Sequence, residues 1–263
     1  MIFSRVVLVF FILLSSHLHA IDVFLFVHGL GANQDQIYRL YTEFRQDGTA
    51  NAHWFIPQGS TIALFDCPDA LPEKDKYKAQ FVNLGQQLDI DRLAMAYEET
   101  LHQIPDANIV LVGLSRGAAT IINFVALHKP QHLKALILES PFDSYDSLIK
   151  HIMKRFHLEY LPFFIGKMIM HTRFPLIDFE GIMPLKTAHW LPKELPMIFI
   201  HSKEDSVVPF ESSVILYDIV CKNGNNNASF LQLEHGAHGK LMHGLQAELY
   251  QNTVKEFLKK HLN

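Results

Sequence analysis

The run Asn108-Ile-Val-Leu-Val-Gly113-Leu114-Ser115-Arg116-Gly117-Ala118-Ala119 joins an apolar strand pattern to a helix start through Gly-x-Ser-x-Gly. A serine on so tight a turn has its hydroxyl lifted clear of the sheet, and Gly113 and Gly117, two residues to either side, keep bulk out of the turn. The five-residue pattern recurs by chance, so the strand before it and the helix after it carry the reading. A serine hydroxyl is a poor nucleophile until a base removes its proton. A histidine and a carboxylate to orient it are therefore expected elsewhere in the chain.

In sites of this kind the chain order is serine, acid, histidine. After the apolar run Pro196–His201 comes Ser202-Lys-Glu-Asp205-Ser-Val-Val-Pro209, and after the next strand pattern comes Glu234-His235-Gly-Ala-His238-Gly239. Asp205 is read as the acid and His238 as the base, with Glu204 and His235 as the neighbouring alternatives. The turn before Val207-Val208-Pro209 favours the shorter Asp, and His238 lies further into its loop, between Ala237 and Gly239. A fourth element is Phe24-Leu-Phe-Val27-His28-Gly29-Leu30-Gly31, a buried strand pattern entering a His-Gly turn. Acyl transfer builds negative charge on an oxygen, and each backbone N–H aimed at it is worth about 3–4 kcal/mol. The expected donors are the backbone N–H groups of Arg116 and Leu30. His28 is read as shaping this loop rather than as a base, with Gly29 and Gly31 freeing the backbone to point inward.

These residues need a scaffold that brings three loops to one edge. Strand patterns at Val23–Val27, Thr61–Phe65, Asn108–Val112, Lys134–Leu138, Met197–His201 and Ser229–Leu233 alternate with helical patterns near Leu88–Gln103, Arg116–His128, Glu211–Lys222 and Leu241–Lys260. The strands are continuous apolar runs, as expected when helices cover both faces. That succession predicts an α/β fold, a three-layer sandwich on a mostly parallel sheet of about six to eight strands. Loops at the carboxyl edge of such a sheet carry the site. Residues 143–195 break the rhythm with several prolines and two apolar helical pieces, and are read as a cap inserted into one domain spanning 21–263. Within it Leu148, Ile149, Ile152, Met153 and Phe156, then Phe163, Phe164, Ile165 and Met168, either pack on the core or line an apolar acyl pocket.

Together these motifs resemble those of the α/β-hydrolase fold serine hydrolases, and the resemblance spans nearly the whole chain after residue 20. His28-Gly29, Gly113-x-Ser115-x-Gly117, Asp205 and His238 carry it. Asp178-Phe-Glu-Gly-Ile-Met-Pro184-Leu185, followed by the His201 strand and the Asp205 loop, is similar to the branch with a serine-aminopeptidase-type or BEM46-like esterase core. The resemblance implies a serine hydrolase cleaving a carboxylic ester or thioester through an acyl-enzyme, with Ser115 as nucleophile, His238 as base and Asp205 as the acid that orients it. The alternatives are a serine peptidase of that fold, or a catalytically silent member that only binds. One departure concerns the strand or hairpin that usually precedes the His-Gly strand: either the sheet is trimmed there, or residues 1–20 are retained as structure.

Arg5, the apolar run Val6–Leu14 and the small Ala20 have the form of an exported protein's signal peptide. The alternative is an uncleaved segment that anchors the chain to a membrane, although nine apolar residues fall short of the ~20 that span a bilayer. With 23 basic against 27 acidic residues, a net charge of −4, the chain lacks the basic excess of a nucleic-acid binder. Cys67 and Cys221 form no metal knuckle, and one disulfide between them is left open. His235-x-x-His238 with His243 matches no common zinc spacing, so no metal is read there. Gly29-x-Gly31 lacks the third glycine and the acidic partner of a dinucleotide fingerprint, and no cofactor is implied. The expected partner is a small ester or acyl substrate, with oligomeric state left open. Lys150, Lys154 and Arg155 interleave with apolar residues and form either a solvated face or a contact with anionic lipid.

Overall fold

The computed structural model describes residues 7–9, 21–40, 42–44, 50–53, 56–57, 59–67 and 82–262 of the 263-residue chain. Its strands are β1 (Val7–Val9), β2 (Asp22–Val27), β3 (Thr42–Phe44), β4 (Ala50–His53), β5 (Thr61–Leu64), β6 (Asn108–Leu114), β7 (Leu133–Glu139), β8 (Met197–Ser202) and β9 (Ala228–Leu233). Its helices are α1 (Gln34–Leu40), α2 (Gln87–Gln103), α3 (Arg116–His128), α4 (Tyr145–Arg155), α5 (Phe163–Arg173), α6 (Pro184–Thr187), α7 (Phe210–Lys222) and α8 (Ala247–Leu262). Seven strands form one sheet in the order β1-β5-β2-β6-β7-β8-β9, parallel except for β1 at the edge. β3 and β4 pair separately as a short antiparallel hairpin.

The strands are unbroken apolar runs because helices cover both faces of the sheet. In β2, Val23, Leu25 and Val27 face one core with Leu93 and Tyr97 of α2, Ile121 and Val125 of α3, and Leu216 of α7. Phe24 and Phe26 face the other, with Val254, Phe257 and Leu258 of α8. Successive strand residues point to opposite sides, so both parities must be apolar when both faces are covered. α3 is buried at every position from Arg116 to Ala126 because it lies in the middle of its layer, which explains its lack of a polar stripe.

From β2 the chain moves to β5 on one side and returns to β6 on the other. The strand order therefore reverses at β2, and the crevice beyond the carboxyl ends of β2 and β6 is a topological switch point, where such sheets bind ligands. His28–Gly31 follows β2, Ser115 follows β6, Asp205 follows β8 and His238 follows β9, all on this edge.

Three expectations need adjustment. The last helix begins at Ala247 rather than Leu241, because Leu241–His243 forms a 3₁₀ turn that ends at Gly244. The α1 helix and the β3–β4 hairpin are additions to the expected elements; three- and four-residue strands are too short to show a period. At the amino end, Val7–Val9 of the leader-like stretch pair antiparallel with β5, Val7 opposite Leu64 and Val9 opposite Ile62. The rest of residues 1–20 lies outside the described residues. Among the described residues no helix is long and apolar enough to cross a membrane, and no disulfide joins Cys67 to Cys221.

Between β7 and β8 the chain makes a helical excursion through α4, α5 and α6. Ser144 caps α4 by accepting the Ser147 amide at 3.2 Å. Leu148, Ile149 and Met153 of α4 and Met170 of α5 form a separate core with Leu84, Phe142 and Val208. This third core roofs the crevice.

Candidate active site

Ser115 has φ +56° and ψ −117°. Backbone of this kind costs a non-glycine residue about 1–3 kcal/mol and persists only where its surroundings force it. They do so here. The Ser115 amide donates to the Glu139 carbonyl of β7 at 2.8 Å, and its carbonyl accepts the Ala119 amide of α3 at 3.1 Å. A Cβ on Gly117 would lie 2.0 Å from the Val27 carbonyl oxygen, and one on Gly113 would lie 2.7 Å from the Ala118 amide nitrogen. Both elbow glycines are thus demanded by close approach of strand, turn and helix.

Arg116, the next residue, has a buried side chain forked onto Asp89 of α2: Nε donates to Oδ2 at 2.7 Å, and a terminal guanidinium nitrogen binds Oδ1. Asp89 also accepts the Gly85 amide at 2.6 Å. The pair fixes the first residue of α3 against α2, and so aims the Arg116 backbone. Sequence reasoning finds Arg116 but not Asp89, whose partner lies 27 positions away and leaves no local signal.

The carboxylate and histidine meet as expected. His238 Nδ1 is 2.7 Å from Asp205 Oδ2, and the Asp205 side chain is fully buried. Asp205 Oδ1 accepts the amides of Val207 and Val208, each at 2.9 Å, a turn that a longer Glu side chain would not close. A second imidazole reaches the same Oδ2: His201 Nε2 at 3.2 Å. His201 is fully buried at the end of β8, with Nδ1 2.7 Å from Ser213 Oγ and Nε2 3.2 Å from the Val208 carbonyl. The tautomer these partners fix carries its proton on Nε2, facing the carboxylate, and accepts from Ser213. Burial pushes the Asp205 carboxyl up, but the hydrogen bonds of His201 and His238 outweigh it and hold the group far below the usual carboxylate range. The sequence marks His201 only as a strand residue. In one sequence a strand-end histidine looks like any other of the sixteen.

The alternatives pair with each other. His235 Nδ1 lies 2.9 Å from Glu204 Oε1, with both side chains more than half exposed. His235 and His238 thus turn to different carboxylates.

His28 is fully buried, and its Nε2 accepts the Cys67 amide at 3.0 Å. Nδ1–H therefore donates to the Gly29 carbonyl at 2.9 Å. Across a trans peptide the next N–H points the opposite way, so the Leu30 amide is turned from the His28 ring. Of the two flanking glycines only Gly31 is left-handed, at φ +76°, so the expected freedom is used at one position.

Ser115, His238, Gly29, Leu30 and Arg116 all open onto one cavity of about 410 Å³. Its walls are apolar: Leu84, Leu114, Phe142, Val207 and Val208 from the core domain, and Leu148, Ile152, Met170 and Phe174 from the excursion. The helical pieces of residues 143–195 thus divide their side chains, some lining this cavity and others, such as Ile149 and Met153, packing beneath it.

Residues 85–263 match the model of the prolyl oligopeptidase family. An uncharacterized protein of Acanthamoeba polyphaga mimivirus is 27% identical over 166 residues, 60% of this chain and 52% of that one. The chain thus spans about half the length of that curated relative. Among solved structures, an esterase of Pyrococcus furiosus superposes with a TM-score of 0.69 at 19% identity, over 93% of this chain and 84% of the other. The acylaminoacyl peptidase of Pyrococcus horikoshii gives a TM-score of 0.65 at 20% identity, over 93% of this chain and 38% of that one. At such identities the likeness is one of fold.

Proposed function

The chain belongs to the prolyl oligopeptidase family, and from that premise we propose that it is a serine hydrolase that cleaves a carboxylic ester with an apolar acyl group. Ser115 acts as nucleophile, His238 as general base and acid, and Asp205 as the carboxylate that orients His238. The observation that carries the reading is the strained Ser115 opening onto the same cavity as a histidine whose other nitrogen is held at 2.7 Å by a buried carboxylate.

Ser115 Oγ attacks the acyl carbon while His238 Nε2 takes its proton, and the imidazolium is stabilised by Asp205. The carbonyl oxygen gains negative charge and is met by the backbone N–H groups of Arg116 and Leu30. The bond to the alcohol oxygen then breaks, and His238 returns the proton to the departing alcohol. Water, deprotonated by His238, attacks the acyl-enzyme; the carboxylic acid leaves and Ser115 is restored.

An ester is favoured over a peptide by the cavity lining. Its ionisable members among the described residues are His238 and Arg116, and the latter's guanidinium is engaged by Asp89. Among the described residues the lining offers a peptide's terminal ammonium no carboxylate, whereas an acyl chain meets leucine, methionine and phenylalanine. Each methylene buried is worth about 0.8 kcal/mol, so kcat/KM for p-nitrophenyl esters should rise about four-fold per methylene until the cavity is filled. Ser115→Ala should abolish fluorophosphonate labelling and lower kcat by several orders of magnitude, up to about 10⁶, the scale of loss when a serine hydrolase is stripped of its nucleophile. A folded Ser115→Ala protein with unchanged turnover would overturn the assignment, and faster cleavage of peptide amides than of any ester would overturn the substrate class.

A further inference from the structure

Among the described residues seven large apolar side chains are 55% or more exposed, and five of them fall between positions 156 and 169: Phe156, Tyr160, Phe164, Met168 and Ile169. Scattered single exposures are ordinary on a protein surface, whereas a cluster marks a place of contact. The cluster lies on α5 and on the turn that leads into it. Gly166 and Met170 hold the inner side of α5; a Cβ on Gly166 would come within 2.6 Å of Ile149 and Met153, so α4 and α5 are in close contact there. Phe164 and Met168, one turn apart, are neighbours on the outer side. Lys167, His171, Thr172 and Arg173 supply the polar positions of this 11-residue helix, so Phe164, Met168 and Ile169 stand as apolar side chains more than half exposed among them.

The same segment has the opposite charge to the molecule that bears it. Positions 145–176 contain five lysines and arginines against two acids, although the whole chain has a net charge of −4. Lys154 and Arg155 are exposed, and the Arg155 guanidinium lies 5.6 Å from the Phe156 ring centroid. Apolar and aromatic side chains rimmed by cations are the pattern of a face that enters the headgroup region of a bilayer. A symmetric pairing through this face would set like-charged patches against each other, because a two-fold interface brings the same surface together twice.

We propose that the outer face of α5, with Phe156 and Tyr160 beside it, docks on the surface of an anionic phospholipid bilayer. The inner faces of α4 and α5 supply Leu148, Ile152 and Met170 to the cavity wall, and Phe174, which follows α5, completes it, so the docked surface and the cavity share the same two helices. Docking does not depend on the hydrolase reading, and the test keeps the two apart.

The full chain carrying Ser115→Ala, which removes turnover, is floated with vesicles containing phosphatidylglycerol and with vesicles of phosphatidylcholine alone. It should float with the first at low salt, less with the second, and less with either as salt screens the cations. Phe164→Asp should weaken partition about ten-fold, the worth of one buried aromatic side chain, and Met168→Asp should act in the same direction. The same substitutions in the active protein should leave turnover of a soluble short-chain ester unchanged. Absence of flotation with anionic vesicles would overturn the proposal. So would a dimer in sedimentation that Phe164→Asp dissociates, because a second copy would then be the occupant of this face.

Discussion

Two imidazoles share one oxygen of Asp205, and their roles separate by position. His238 opens onto the cavity with Ser115, whereas His201 is fully buried behind the carboxylate. His238→Ala should therefore remove nearly all turnover. His235→Ala, which breaks only the surface pair with Glu204, should keep most of it. The reverse outcome in the two kcat values would exchange the base. His201 is a positioning residue: its N–H helps to hold Asp205 in place. A hydrogen bond to a charged group is worth about 1.5–3 kcal/mol, so His201→Ala should lower kcat at least about ten-fold with little change in KM. His201→Gln, which keeps a donor at the reach of Nε2, should recover part of the loss. Equal kcat values for wild type, His201→Ala and His201→Gln would remove this role. The Ser115, Asp205 and His238 positions are legible in the sequence because each sits where an apolar run stops at a small or polar turn. His201 and Asp89 are not, because each is defined by a partner brought to it by the fold rather than by its neighbours in the chain.

At the scale of elements, the geometry of the elbow rests on how closely α3 approaches β2. The Gly117 Cα faces the Val27 carbonyl with no room for a methyl group, whereas the nearest atom to a Cβ on Gly29 is at 3.4 Å. Backbone cannot yield as the end of a flexible side chain can, so Gly117→Ala should destabilise the fold by about 3 kcal/mol or more, the upper end for an overpacked core. Gly29→Ala should cost far less. Urea midpoints of the two variants measure the difference, and equal midpoints would show that α3 is free to retreat. The sequence pattern indicates that both glycines of Gly-x-Ser-x-Gly matter, but not that the pressure on Gly117 comes from Val27, a strand residue far earlier in the chain. The α8 boundary illustrates the same gap: apolar spacing continues through Leu241–His243, yet Gly244 and the tertiary placement of Leu241 and Met242 in the second core stop the turn from joining the helix.

For the whole molecule, the alternation of apolar runs with helical patterns is enough to foresee a parallel sheet covered on both faces, since only that arrangement hides both parities of every strand. It is not enough to foresee how polar groups inside the layers stabilise it, and these set the pH range of the fold. Burial raises the Asp205 carboxyl, but His201 and His238 lower it further, so the folded pKa lies below the unfolded value. The stability this contributes is present above the unfolded value of about 3.9 and is lost as pH falls toward the folded one. Two tyrosines act at the other end. Burial, with Glu98 nearby, pushes the Tyr97 hydroxyl well above its usual value, and burial with the charges of Asp89 and Asp178 does the same for Tyr145 against the opposing pull of Arg116. Tyr97 donates to the Gln131 carbonyl at 2.5 Å and Tyr145 to the Leu84 carbonyl at 3.1 Å. For a raised pKa the sign reverses: this stability is fully present below the unfolded value of about 10 and is lost as pH climbs toward the folded one. The denaturation midpoint should therefore fall at the acid end as Asp205 is protonated and at the alkaline end as the two tyrosines ionise. On the alkaline side tyrosinate absorbance offers a direct check. Tyr97 and Tyr145 should ionise only in step with the loss of helical circular dichroism, and a Tyr97→Phe, Tyr145→Phe double variant should lack that late, cooperative component. If all eight tyrosines ionise in one smooth step while the helices remain folded, neither hydroxyl is held by the interior.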